Sequence, residues 1–274
     1  MSAARAISLD QLTVIGVDHV ELVEAAAAAG FQAVGPINGI VPYDAVPAAH
    51  LRAGAPDVRE FKRALERTGV FINNADGFAL TPEAPMAELR AGLEVMAELG
   101  ARRAVSLVFD PEANRGYDNF CQLNAWAEAA GIGLVLEFTP LSQVASLADA
   151  IAYVQRVGGD NVGVLVDILH LMQSGGSPAD LAKVPAGLIR GAQLCDGPAA
   201  PSFEDYARAA ILERALPGEG ELPVEAFLQA LPADLVFGVE APRRSAVARG
   251  LRPPELAQEA MRATRAVMAR AGVA

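Results

Sequence analysis

Only two of the 274 residues are cysteines, Cys121 and Cys195, and only three are histidines. With no CxxC and no Cys/His cluster, they suggest neither a disulfide framework nor a structural zinc site. Basic residues are scarce too: 22 Lys and Arg stand against 33 Asp and Glu, a formal charge of −11. Phosphate backbones are bound mainly by Lys and Arg, so this balance argues against a nucleic-acid partner. No apolar run reaches the roughly 18 residues that span a bilayer. The opening Met-Ser-Ala-Ala-Arg-Ala-Ile has no long apolar core of a signal peptide. A cytoplasmic protein with no membrane association is expected.

Two nucleotide-binding signatures are also missing. Ser8-Leu9-Asp10-Gln11 stands where a GxGxxG fingerprint would follow the first strand. Pro217-Gly218-Glu219-Gly220 lacks the lysine of a Walker loop and reads as a turn entering a helix rather than a phosphate cradle. Apolar residues, by contrast, are abundant. They make up 52% of the chain, which excludes disorder and supplies a sizeable core.

Short β-branched runs alternate along the chain with alanine- and leucine-rich stretches of helical period. Strands are expected at 6–9, 33–35, 70–73, 103–108, 133–138, 163–166, 188–194 and 235–240. Helices are expected near 19–29, 58–68, 84–99, 117–130, 147–157, 178–181, 224–231 and 254–271. Asp18, Asp57 and Ser146 stand at N-cap positions. Pro178, Pro223 and Pro254 fit first turns. Gly30, Gly69, Gly100 and Gly131 each close a helix before a strand. The stretch 196–222 carries no clear pattern and reads as a long loop. Eight βα units without a linker predict a single (β/α)8 TIM barrel over residues 1–274, ahead of a doubly wound sheet.

The chemistry gathers at strand ends. Glu137, Asp167, Gln193 and Glu240 lie at the carboxyl ends of the last four expected strands, where barrel active sites are built. Burying unpaired carboxylates among apolar residues costs several kcal/mol each. A divalent cation would offset both the burial and the mutual repulsion. The hard, all-oxygen donor set favours Mg²⁺ or Mn²⁺ over zinc. The competing explanation is that each acid pairs separately with an arginine at the barrel rim. His170 follows Asp167 by three residues and is a candidate to contact a ligand or a substrate. His19 and His50 read as surface residues. Asn38, Asn73, Asp76 and Phe109, at the ends of the earlier strands, are candidates to line a pocket. So are Arg208 and Arg214 from the long loop, although Asn73-Asn74 also suits a plain turn.

These residues resemble the xylose-isomerase-like barrels of the sugar phosphate isomerase/epimerase family. The matching segments are Leu-Glu-Phe around Glu137, Val-Asp-x-x-His at 166–170 and Gln-Leu-Cys-Asp-Gly-Pro at 193–198. Leu-Pro-Gly-Glu-Gly-Glu-Leu-Pro at 216–223 and Val-Glu-Ala-Pro at 239–242 complete the pattern. The resemblance implies one divalent cation, Mn²⁺ or Mg²⁺, held by Glu137, Asp167, Gln193 and Glu240. Histidine is common at the fourth position. Glutamine there resembles a branch that includes 3-dehydroshikimate dehydratases. By the same resemblance Glu137 and Glu240 would trade a proton across a sugar or keto-polyol through an enediolate, with His170 on a substrate oxygen. Asn73, Phe109, Arg208 and Arg214 would contact that carbohydrate-like substrate. A metal-dependent isomerase or epimerase of carbohydrate metabolism is the expected enzyme. A dehydratase (a lyase) and a non-catalytic sugar-binding barrel are the alternatives. DNA-damage endonucleases share a related barrel, but three histidines and a charge of −11 weigh against that activity. Barrels of this kind often pair, which leaves the oligomeric state open between monomer and homodimer.

Overall fold

The computed structural model describes residues 5–40 and 51–273. Its ten strand segments are β1 (Ile7–Asp10), β2 (Ala33–Gly35), β3 (Ile37–Ile40), β4 (Phe71–Ile72), β5 (Asn74–Phe78), β6 (Arg103–Ser106), β7 (Gly133–Glu137), β8 (Val162–Asp167), β9 (Ile189–Leu194) and β10 (Phe237–Val239). All pair in parallel. Pro36 separates β2 from β3, and Asn73 separates β4 from β5, so the ten segments make eight staves. β2 pairs with β4 and β3 with β5, which closes the ring between the second and third staves. The fold is therefore the expected single TIM barrel.

Side-chain alternation explains why polar residues collect inside it. Val105, Val135 and Leu165 form a small buried cluster separate from the main core. Successive side chains on a strand point to opposite faces. Glu137 therefore points the same way as Val135, and Asp167 the same way as Leu165, one step nearer the carboxyl ends. Gly191 precedes Gln193 by two residues, and a Cβ at Gly191 would lie 3.0 Å from the Leu165 side chain. Apolar side chains fill the lower barrel, and the layer above them is polar. The large core lies between the sheet and the outer helices, as both-sides burial of parallel strands requires.

The helices are α1 (His19–Ala29), α2 (Pro56–Thr68), α3 (Met86–Glu98), α4 (Ala113–Ala130), α5 (Leu147–Val157), α6 (Ile168–Gln173), α7 (Pro178–Leu181), α8 (Phe203–Leu212), α9 (Val224–Ala230), α10 (Arg244–Ala248) and α11 (Pro253–Ala271). Asp18 and Glu21 form a full capping box at α1, and the Ser146 hydroxyl accepts from Asp149 N at α5. Asp57 does not cap α2, because Pro56 already occupies the first turn and Ala55 is the N-cap. No helix among the described residues is long and apolar enough to cross a membrane.

Four expectations need correction here. The 196–222 stretch is not structureless: Ser202 caps α8, which buries only Tyr206 and Ala210. That stripe is too narrow to stand out between Pro201 and Pro217. The third stave runs well past residue 73, because β5 carries Asn74, Asp76 and Gly77 rather than β-branched residues. A six-residue helix, α6, follows β8 directly, capped by Asp167. His19 is not a surface residue. It is 7% exposed, stacked on Phe61 with centroids 5.1 Å apart, and its Nε2 meets Ile37 O at 2.9 Å. His50 lies outside the described residues.

Candidate active site

Each expected strand-end residue is held in place by its own local structure. Glu137 ends β7 and Asp167 ends β8, where the Asp167 Oδ1 accepts from Leu169 N at 2.7 Å to start α6. Gln193 sits beside Asp167 in the β8–β9 register. Glu240 follows β10, with its N–H on Leu194 O at 3.1 Å. Thr13 brackets it on both sides. The Thr13 hydroxyl donates to Val239 O at 2.7 Å and accepts from Ala241 N at 2.9 Å. All four side chains are buried.

One arginine enters this cluster. Arg214, just beyond α8, is 5% exposed, with Nη1 2.6 Å from Asp167 Oδ2 and Nη2 3.0 Å from Glu240 Oε2. Its Nε and Nη2 also donate to Ala210 O at 2.9 and 2.7 Å, which locks the fork. Arginine pairing is thus half realised: one guanidinium, buried rather than at the rim, serves two acids. Glu137 has no such partner. Among the described residues it accepts no hydrogen bond, and His170 Nε2 lies 3.6 Å from its Oε1.

His170, on α6, is tied from behind. Its Nδ1 meets the Tyr206 hydroxyl at 2.9 Å, and that hydroxyl meets Thr139 Oγ1 at 2.7 Å. Leu141 N donates to Thr139 Oγ1 at 3.3 Å. Where Tyr206 donates to Nδ1, the neutral imidazole carries its own proton on Nε2, facing Glu137. Burial pushes the His170 pKa down to about 4, so the ring is neutral at pH 7.

Sequence reasoning missed a further acid. Asp10, at the end of β1, is 4% exposed and accepts from Gln193 Nε2 at 3.1 Å and from Ser8 Oγ at 3.1 Å. The same Gln193 Nε2 donates to Glu240 Oε1 at 3.0 Å. Asp10, Asp76, Glu137, Asp167 and Glu240 thus share one region with a single guanidinium. Burial, then repulsion from neighbouring acids, holds the Glu137 carboxyl well above the usual range. Burial does the same at Glu240 against the pull of Arg214. It raises Asp10 to about 8 and Asp76 to about 6.

Does this set suit a metal ion? Gln193 Oε1 is buried with no hydrogen-bond partner. A buried amide oxygen left unpaired costs about 1–3 kcal/mol unless something accepts its lone pairs. Ligand atoms of Glu137, Asp167 and His170 lie within 4.8 Å of one another. Clustered acids with raised pKa values and an orphan amide oxygen fit a hard divalent cation. Glu137 and Asp167 belong both to this close triad and to the expected quartet. His170 is the addition, within reach of the same point.

The remaining candidates separate. Asn73 points away from the site. Its Nδ2 reaches Val236 O at 3.4 Å and its Oδ1 accepts from Arg103 Nη1 at 3.1 Å, both at the amino-terminal side of the barrel, because the chain kinks at this residue. Arg208 also points away, 73% exposed on α8 and paired with Asp205 at 3.7 Å. Asn38 is buried and bonds Gly92 O at 3.3 Å and Leu51 N at 2.9 Å. Phe109 follows β6 at the carboxyl end, half-buried. The Pro-Gly-Glu-Gly turn is no cradle: Asp196 accepts from Gly218 N and Leu222 N, each at 2.9 Å, and so fills it with a carboxylate.

A model of the xylose isomerase-like TIM barrel family matches residues 23–267, and the chain belongs to that family. Solved structures share the fold over nearly the whole chain. The IolI protein with a bound zinc atom superposes with TM-score 0.78 at 18% identity, covering 97% of this chain and 98% of that one. A xylose isomerase domain protein from Alicyclobacillus acidocaldarius gives 0.75 at 21% identity, covering 98% and 100%. A D-psicose 3-epimerase with D-tagatose from Clostridium cellulolyticum H10 gives 0.73 at 14% identity, covering 96% and 98%. No curated protein sequence matches significantly.

Proposed function

We propose that the chain is a divalent-metal-dependent isomerase or epimerase that removes a proton next to the carbonyl of a sugar or keto-polyol. The supporting observation is Glu137. It is a buried carboxylate with no hydrogen-bond donor among the described residues, beside a neutral imidazole, within a cluster of otherwise engaged acids. A general base needs a raised pKa and oxygens not already engaged by a donor, and among the described residues Glu137 has both. Solved relatives of the fold include an L-ribulose 3-epimerase and D-allulose 3-epimerase in complex with D-allulose, which agrees with a carbohydrate-like substrate.

Glu137, Asp167, Gln193 and Glu240 would hold the cation. When bound, a Mn²⁺ or Mg²⁺ ion supplies positive charge to a carbonyl oxygen that becomes an oxyanion. The chain's own groups do the rest. Glu137 takes the α-proton, and His170 donates its Nε2 proton as a hydrogen bond to a substrate oxygen. Arg214 favours the ionised form of Glu240 and holds its carboxylate in place. Return of the proton to the neighbouring carbon gives the isomer, and return to the opposite face of the same carbon gives the epimer. The whole of residues 1–274 is read as one such domain.

One observation favours a second reading. Glu240 is bound by Arg214 and Gln193, whereas Glu137 is not bound. The two glutamates are therefore unequal, and a two-base exchange needs Glu240 to leave its partners. A single base suffices if the enediolate expels a β-hydroxyl, which is the dehydratase reading that Gln193 also suits. The test is incubation with candidate ketoses and Mn²⁺ in D₂O. Deuterium wash-in at the α-carbon supports the isomerase or epimerase. Loss of water to a conjugated enone supports the dehydratase. Absence of exchange and of bound metal would overturn both.

A further inference from the structure

We infer that Asp10 is a positioning residue that turns the amide oxygen of Gln193 toward the metal position. This rests on the metal-site reading above. A glutamine amide has two ends of nearly equal size, and only the oxygen can bind a cation. Something must therefore choose which end faces inward. Here the two amide hydrogens are claimed separately, by Asp10 Oδ2 at 3.1 Å and by Glu240 Oε1 at 3.0 Å. The NH₂ group faces both carboxyl groups, which accept from it, and Oε1 is left buried and unpaired. Glu240 alone would claim a single hydrogen and leave the amide loosely held.

The barrel is shaped to keep Asp10 in place. A Cβ at Gly238 would lie 2.0 Å from Asp10 Oδ2, and one at Gly35 would lie 2.3 Å from Oδ1. Side chains at these neighbouring positions are incompatible with the carboxylate, so two glycines form its slot. The Ser8 hydroxyl, on the same face of β1, donates to Oδ1 at 3.1 Å and fixes its rotation. Each Asp10 oxygen therefore has a protein donor, and the residue is spoken for without being a ligand. As a structural filler it would be a poor choice, because a buried carboxylate beside other acids costs several kcal/mol. Its orientation of Gln193 accounts for its presence.

The position of Asp10 and its charge can be separated. Asp10→Asn keeps an acceptor oxygen for Gln193 and gives its amide NH₂ to Ser8, so position survives while charge is lost. Gly238→Ala does the opposite: it keeps the charge and displaces the carboxylate. Asp10→Ala loses both. Mn²⁺ affinity of chelator-treated protein, read by calorimetry, should fall about 10–100-fold in Asp10→Ala and in Gly238→Ala, the usual effect of removing a partner behind a ligand. Asp10→Asn should stay within about threefold of wild type, because its carbonyl oxygen can still accept from Gln193. Electron paramagnetic resonance of bound Mn²⁺ in H₂¹⁷O should show one additional water ligand in Asp10→Ala, where the amide oxygen has been lost. Wild-type affinity in both Asp10→Ala and Gly238→Ala overturns the inference. So does Asp10→Asn binding as weakly as Asp10→Ala, which would make the effect one of charge alone. A wild-type protein that binds no Mn²⁺ overturns the metal reading itself, and the inference with it.

Discussion

Glu137 Oε1 and His170 Nε2 face each other at 3.6 Å, too far for a good hydrogen bond and close enough for both to touch one substrate. Glu240 is bound and Glu137 is not, so the two glutamates should respond differently to mutation. Glu137→Gln should lower α-proton exchange by about 10²–10⁴-fold at saturating Mn²⁺, the usual contribution of a general base. Glu240→Gln should instead weaken Mn²⁺ binding and lower exchange less. Exchange rates of both variants in D₂O check this, and equal losses with metal bound would point to two equivalent bases.

Asp167 serves three groups at once: Arg214, the start of α6 and the expected cation. Asp167→Asn keeps the helix cap and gives up the charge. Mn²⁺ affinity should fall on the order of tenfold or more, since even partners one shell further out contribute 10–100-fold. Calorimetric titration showing unchanged affinity would remove Asp167 from the ligand set.

The strand-end acids were legible because Glu137, Asp167 and Glu240 interrupt apolar runs, where a charge demands a reason. Asp10 interrupts Ile-Ser-Leu in the same way, yet polar Gln11 follows it, so the residue reads as the start of a loop. Tyr206 was hidden because α8 buries only two side chains and lies between prolines. Parity explains Asn73. Alternation holds along an unbroken strand, and the kink at this residue sends its amide to the amino-terminal side. Arg208 and Arg214 are indistinguishable by composition. The first lies on the exposed face of α8, and the second lies past its end, where the chain turns in to bond Pro242 O.

Tyr206 acts only through His170, so its hydroxyl should matter for turnover and little for the metal. Tyr206→Phe leaves Nδ1 and Thr139 without their shared partner, a loss of about 1 kcal/mol per hydrogen bond. Turnover should fall about five- to tenfold, a loss near that magnitude, while Mn²⁺ affinity stays at the wild-type value. A parallel loss of metal affinity would mean that the tyrosine supports the whole site rather than the imidazole.

Arg214 is the one cation among the described acids of the site. Removing one partner of a buried ion pair costs about 3–5 kcal/mol, because the remaining charge is stranded. Arg214→Met should therefore lower unfolding stability in metal-free buffer by about that amount, and saturating Mn²⁺ should restore part of it by binding only the folded state. Arg208→Ala, six positions earlier and exposed, serves as the control and should change stability by less than about 0.5 kcal/mol. Denaturant unfolding of both variants, with and without Mn²⁺, measures the contrast.

His19 gives a pH signature outside the site. Burial lowers its pKa below the ordinary value of about 6.5, and its Nε2 donates to Ile37 O while the ring stacks on Phe61. The unfolded chain therefore binds a proton more readily than the folded one does. The stability supplied by the neutral ring is fully present above about pH 6.5 and is lost as the pH falls below it toward the lower folded value. His19→Gln removes this titration and keeps an N–H donor for Ile37 O. The stability difference between wild type and His19→Gln should accordingly shift against the wild type between pH 8 and pH 5. Subtracting the variant also cancels the contribution of His170, whose depressed pKa has the same sign. Urea unfolding midpoints at the two pH values test this, and a difference that does not move with pH would show that His19 titrates alike in the folded and unfolded chain.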